Sequence, residues 1–89
     1  MILRLGGRDW KLTRPTRPLK GWARDGTIGH CIKGRKVIQV LGTLTGKEEL
    51  ATLLHEARHA QNWDLDEEAV ERESRELAEM LWAMGYRRT

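Results

Sequence analysis

Phenylalanine is missing from these 89 residues, and cysteine, tyrosine and proline are scarce, at one, one and two. The lone Cys31 excludes an internal disulfide, so any staple has to be a metal or a partner chain. No apolar run approaches the roughly 18–20 residues that a bilayer-spanning helix needs. The start, Met1-Ile2-Leu3-Arg4, lacks the apolar h-region and small-residue cleavage site of a signal peptide. These absences predict a soluble, cytoplasmic protein with no membrane partner. Its length predicts one domain, 1–89, near the small end of what folds unaided. Large apolar side chains come instead from four tryptophans, Trp10, Trp22, Trp63 and Trp82, which in so small a domain are expected in the core.

The net charge of +3 conceals an asymmetry: residues 1–45 carry ten Lys/Arg against two Asp/Glu, and residues 46–89 carry six against eleven. A basic half can mark a nucleic-acid partner. Here the cations are scattered and mostly alternate with apolar residues, as on protected strand edges, which makes nucleic acid the less favoured partner.

The basic half, 1–44, reads as β-rich. Ile2–Leu5 and Asp9–Arg14 alternate in polarity around Gly6-Gly7, a hairpin signature. Pro15 and Pro18 make Arg14–Lys20 an extended connector. Asp25-Gly26 is a turn signal. Thr27–Ile32 and the β-branched run Lys36–Leu41 form a second hairpin around Lys33-Gly34-Arg35. The expectation is a small antiparallel sheet of three or four strands. The acidic half, 45–89, reads as two helices. Thr45 and Glu48 have capping-box spacing ahead of a helix reaching about Asn62. At 100° per residue, Leu50, Leu53, Leu54 and Ala57 form an apolar stripe expected to pack on the sheet, with His55 and His59 nearly opposite. Asp64 or Asp66 caps a last helix from about Leu65 to Met84, whose buried stripe is predicted at Val70, Ser74, Leu77, Leu81 and Met84. The short connection makes the helices antiparallel neighbours, and the fold class α+β.

His55-Glu56-Ala57-Arg58-His59 falls inside the first of these helices. Residues four apart share a helix face, so two imidazoles can grip one metal ion while Glu56 reaches its water. With three histidines and nine glutamates in 89 residues, shuffling gives H-E-x-x-H in only about 1% of sequences. A catalytic zinc takes three protein ligands and keeps a position open. The third is sought in the acidic start of the last helix. Glu67, on the face of Val70 and Ser74, is the first choice, and Glu68 and Glu71 are the alternatives. Glu67 has a competing use at the third helical position of a capping box headed by Asp64. Such a centre makes water acidic enough for Glu56 to take its proton as the water attacks a peptide carbonyl. The strand Lys36–Leu41 could present an edge to an extended peptide.

The motif followed by an acidic helix resembles the gluzincin branch of the zincin metallopeptidases in minimal form. More closely, L-L-H-E-A-R-H-A-Q-N-W-D-L-D-E-E-A-V-E and the ending L-A-E-M-L-W-A-M-G-Y-R resemble a group of small phage- or prophage-encoded proteins assigned as metallopeptidases. The likeness spans roughly residues 28 to 87, including Gly29-His30-Cys31, and leaves the basic N-terminal third outside it. It implies one zinc ion, His55 and His59 as ligands, Glu56 as base, a glutamate from the last helix, and a peptide or protein substrate. Arg58 departs from the apolar residue common inside such motifs. Facing the core it needs a carboxylate partner; bordering a cleft it could bind substrate.

Among the remaining residues, His30 and Cys31 read as ordinary strand residues, with metal approach the sharper alternative, and Tyr86 as packing rather than an oxyanion donor. Two other functions remain open: a zinc-stabilised module without turnover, and a nucleic-acid-associated protein using its basic half.

Overall fold

A computed structural model of the chain describes residues 1–17 and 28–87. Its elements run β1 (Ile2–Leu5), β2 (Arg8–Thr13), β3 (Gly29–Ile32), β4 (Val37–Val40), α1 (Gly46–Gln61) and α2 (Glu67–Ala83). This is the α+β order that the sequence predicts, two hairpins and then two helices. Trp22, the turn at Asp25-Gly26 and the first residue of the strand expected from Thr27 lie outside the described residues.

β1 and β2 pair antiparallel from Leu5↔Arg8 to Ile2↔Lys11, with Gly6 and Gly7 at φ 59° and 76° between them. A two-residue turn that matches strand twist needs positive φ at both positions, which glycine adopts without steric cost. β3 and β4 pair antiparallel with Cys31 opposite Ile38. The hairpins do not join antiparallel, however. β2 and β4 run parallel, with Leu12 opposite Ile38, and the sheet is mixed, in the order β1-β2-β4-β3. Parallel neighbours need a long crossover, and the chain between Thr13 and Val37 supplies one. β4, whose Ile38 and Val40 are almost wholly buried, takes a central position beside β2, and β3 takes the edge.

The inner face of the sheet contributes Trp10, Cys31, Ile38 and Val40 to the core, and Leu53 and Ala60 of α1 pack against it. The rest of the sheet-facing side of α1 is polar. Glu49, Thr52 and Glu56 are its buried residues, not the full leucine stripe expected there. α1 is covered on two sides, by the sheet and by α2, and Leu50 and Leu53 line a groove with Leu44 and Trp82. Burial of Glu49 is matched by Arg14, whose Nη2 lies 2.8 Å from Glu49 Oε2 while the same guanidinium donates to the carbonyls of Val40 and Leu41. Thr45 occupies the N-cap of α1 but makes no side-chain cap hydrogen bond, so the predicted capping box does not form.

α2 begins two residues later than expected. Asp66 is its N-cap and accepts from the Ala69 N–H at 3.1 Å, which makes Glu67 the first helical residue and removes its alternative role in a box headed by Asp64. The helices are antiparallel: Lys47 pairs with Glu79 at one end and His59 with Glu67 at the other. Val70, Ser74 and Ala78, each 1% exposed, form the contact ridge. Leu77 and Met84, expected in that stripe, are 36% and 65% exposed. The contact follows the four-residue ridge of α2, and these two residues lie off it.

Trp10 is 3% exposed, and its indole N–H finds no acceptor among the described residues. Trp10→Ala is expected to cost about 3–5 kcal/mol. Trp10→Phe removes the unpaired donor together with some volume and is expected to cost under about 2 kcal/mol. Urea denaturation at pH 7 measures both; equal losses would mean that the indole N–H is satisfied.

Candidate metal centre

His55 and His59 are four positions apart on α1, and their rings stand one above the other with centroids 5.0 Å apart. Glu67, in the first turn of α2, reaches both: its Oε1 is 2.8 Å from His55 Nε2 and its Oε2 is 2.6 Å from His59 Nε2. The donor atoms of His55, His59 and Glu67 lie within 4.8 Å of one another. Donors around a tetrahedral zinc stand about 3.3–3.4 Å apart, given bonds of about 2.0–2.1 Å. The contacts of Glu67 with the two rings are shorter than that, and its exposed side chain has room to turn outward. The three residues could therefore hold a metal ion. Glu68 is exposed and takes no part in the cluster.

Glu71, considered above as a ligand, addresses the other nitrogen of His55: the Nδ1–H donates to Glu71 Oε2 at 2.8 Å. Metal-binding histidines are commonly oriented by such a carboxylate on the second ring nitrogen. Arg75 Nε donates to Glu71 Oε1 at 2.6 Å. Partial burial opposes ionisation of Glu71, but the hydrogen bonds from Arg75 and His55 outweigh it and hold its pKa below the ordinary value. The sequence signal for this second carboxylate is its spacing, one helical turn beyond Glu67.

Glu56 occupies the opposite situation. It is 8% exposed and its carboxylate has no hydrogen-bond partner among the described residues. Burial pushes its pKa from 4.5 up to about 7, His55 opposes the rise, and the charges of Glu67 and Glu71 add to it. It fits where it does because β3 carries glycine below it. A Cβ on Gly29 would stand 2.8 Å from Glu56 Oε2 and 2.9 Å from Thr52 Cγ2. Beside it Cys31 is buried, and burial together with the nearby Glu56 charge raises its thiol to about 12. Cys31 and His30 border the site but do not join the three-residue cluster.

These groups line a cleft of about 750 Å³ between β3, α1 and α2, with Trp63 and Leu65 at one end and Glu48 and Arg75 among its other walls. Trp63, expected in the core, is 43% exposed; its ring lies 6.2 Å from that of His59, with Lys33 Nζ 5.8 Å from the indole. Arg58 has the carboxylate partner that an inward position demands, Glu73 at 3.3 Å, and does not line the cleft. Tyr86 is 59% exposed and borders the separate groove beside Leu50 and Trp82. Compared with protein-family models, with curated proteins and with solved structures, the chain matches none of them. Among the described residues no helix is long and apolar enough to cross a membrane.

Burial of Glu56 gives metal-free protein a signed pH dependence. Below about pH 4.5 the carboxyl is neutral in both folded and unfolded chains; above about 7 it is charged in both, and the folded state bears the full cost. That cost is on the order of 1–3 kcal/mol. Glu56→Gln in EDTA should therefore gain stability relative to wild type as pH rises from 4 to 8, by that amount. A difference between the two proteins that does not vary with pH would contradict a strained Glu56 carboxylate.

Proposed function

We propose that the protein is a zinc-dependent peptidase with a minimal gluzincin-like centre, in which His55, His59 and Glu67 hold one zinc ion and Glu56 is the general base. One observation carries this reading: three convergent donors stand beside a buried, hydrogen-bond-free carboxylate in an open cleft. Zinc bound there would supply Lewis-acid polarisation of a substrate carbonyl and of water. Three protein donors would leave a fourth coordination position for water or substrate.

The chain's own residues have distinct tasks. Glu71 fixes the ring of His55 with its Nδ1–H directed away from the ion and Nε2 toward it. Glu56 takes the proton of the attacking water on its carboxylate and passes it to the departing amine nitrogen. Its raised pKa suits it to hold that proton between the two steps. A substrate strand would lie along β3, the edge strand bordering the cleft, and not along the central β4.

Two expectations test this. Purified wild type and Glu56→Gln should each retain about one zinc per chain by atomic emission, and His59→Ala should lose it. Cleavage of a mixed quenched-fluorescence peptide library should be confined to wild type, with Glu56→Gln slower by at least about 10²-fold. Cleavage by Glu56→Gln at the wild-type rate would sink the mechanism, and an ion bound by four protein donors would favour the zinc-stabilised module. Separately, Glu71→Gln should weaken zinc binding about 10–100-fold in a chelator competition; unchanged affinity would remove Glu71 from the centre.

A further inference from the structure

We infer that the cleft contains a cation-binding subsite built on Glu48, which selects substrates carrying a positive group, either a lysine or arginine side chain or a free α-ammonium. As a substrate subsite it rests on the peptidase reading; as a binding site it does not.

Glu48 is on the face of α1 that forms one wall of the cleft, in line with Thr52, His55 and His59. It precedes His55 by seven residues, about 10 Å along the helix axis. An extended peptide spans that distance with about three residues. The other charged groups lining the cleft are already engaged or withdrawn. Glu67 is held by both imidazoles, and Glu71 by His55 and Arg75. Arg75, the one Lys or Arg side chain lining the cleft among the described residues, is committed to Glu71. Glu56 opens into the same cleft from a position more than nine-tenths buried, without a hydrogen-bond partner, which marks the cleft as built to receive a ligand.

Glu48 alone combines exposure with an unused charge: its carboxylate makes no hydrogen bond or ion pair among the described residues. The local use that sequence spacing suggests for it, a capping box with Thr45, does not form. An acidic residue in a first helical turn is favoured by the helix dipole, but its neighbour Glu49 shares that position and turns toward Arg14 instead. A divalent ion would balance the carboxylate at the histidine end and leave the Glu48 end negative. Low-dielectric walls focus such a field on an entering cation.

The test uses zinc-loaded Glu56→Gln, so that peptides bind without being consumed. Ten-residue peptides carry one lysine at successive positions, or norleucine in its place, with the N-terminus acetylated or free; binding is read by fluorescence anisotropy. Lysine over norleucine in acetylated peptides reports a side-chain cation, and free over acetylated ends in norleucine peptides report the α-ammonium. At least one of these should tighten binding about three- to tenfold, less at high salt. Adding Glu48→Gln should abolish the preference, and adding Glu48→Lys should transfer it to peptides with aspartate in place of lysine, a gain that misfolding cannot imitate. Equal binding of all peptides, binding of none, or a cation preference that survives Glu48→Gln would overturn the subsite. Wild-type cleavage is scored separately: charge-selective binding without cleavage rejects the peptidase and keeps the subsite, and cleavage indifferent to charge does the reverse.

Discussion

Helix α1 is gripped from two sides at distances that only small side chains permit, and the position of every site residue depends on that. On the sheet side Gly29 leaves room for Thr52 and Glu56; a single Cβ there would enter both. On the other side Ser74 and Ala78 of α2, almost fully buried, let the second helix come close enough for Glu67 and Glu71 to reach imidazoles on α1. Metal donors have to be placed to a fraction of an ångström, and side chains reaching across loosely packed helices are not held so tightly. Of the leucines that a simple amphipathic reading sends to the sheet, Leu53 packs there, and Leu50 and Leu53 line a separate groove beside Leu44 and Trp82.

The electrostatics run against the packing. Three carboxylates, Glu56, Glu67 and Glu71, are drawn together around two histidines in a protein with few fully buried apolar residues. The charges of Glu67 and Glu71 add to the cost of ionising buried Glu56, and a divalent cation would offset much of it. A purely structural ion would offset the same repulsion, so the relief does not by itself distinguish a staple from a reaction centre. Glu56 does bear on the distinction. A staple has no task for a carboxylate that is buried and unpaired, whereas a proton acceptor needs that combination. Arg14 shows how the chain treats a buried glutamate that only holds structure together: Glu49 receives a guanidinium that is itself tied to the carbonyls of Val40 and Leu41. Glu56 receives nothing of the kind.

Much of this was legible from local signals. Gly6-Gly7, the alternation of the strands, and the 3.6-residue period of the acidic half all express short-range rules, and the elements they predict are present. The inward direction of Glu67 followed from the Val70 and Ser74 face. What sequence did not reveal is relational. The parallel pairing of β2 with β4 depends on where a long crossover lays the chain down, and no residue in either strand encodes it. Mixed three- and four-residue steps along α2 lead to Leu77 and Met84, but the contact keeps to the four-residue ridge of Val70, Ser74 and Ala78. The polar lining of α1 was hidden because a helix with two covered sides has no single inner face. Trp63 is large enough to be read as core, yet it forms a rim beside His59 and Lys33.

The choice between Glu67 and Glu71 turns on ring geometry and not on proximity, since both carboxylates lie 2.8 Å from His55. The two nitrogens of an imidazole point away from each other, so an ion on one cannot be shared with a carboxylate on the other. His59 presents Nε2 to Glu67, and His55 does the same. An ion held by both rings through Nε2 would therefore have Glu67, not Glu71, as its third donor. Glu71 is left on Nδ1 of His55, with Arg75 behind it. Sequence spacing placed the two glutamates one turn apart on one helix face, equivalent in chemistry. Antiparallel packing makes them inequivalent, because moving one turn along α2 moves one turn back along α1. Glu67 then sits level with His59, close enough to reach both imidazoles, and Glu71 sits level with His55 alone.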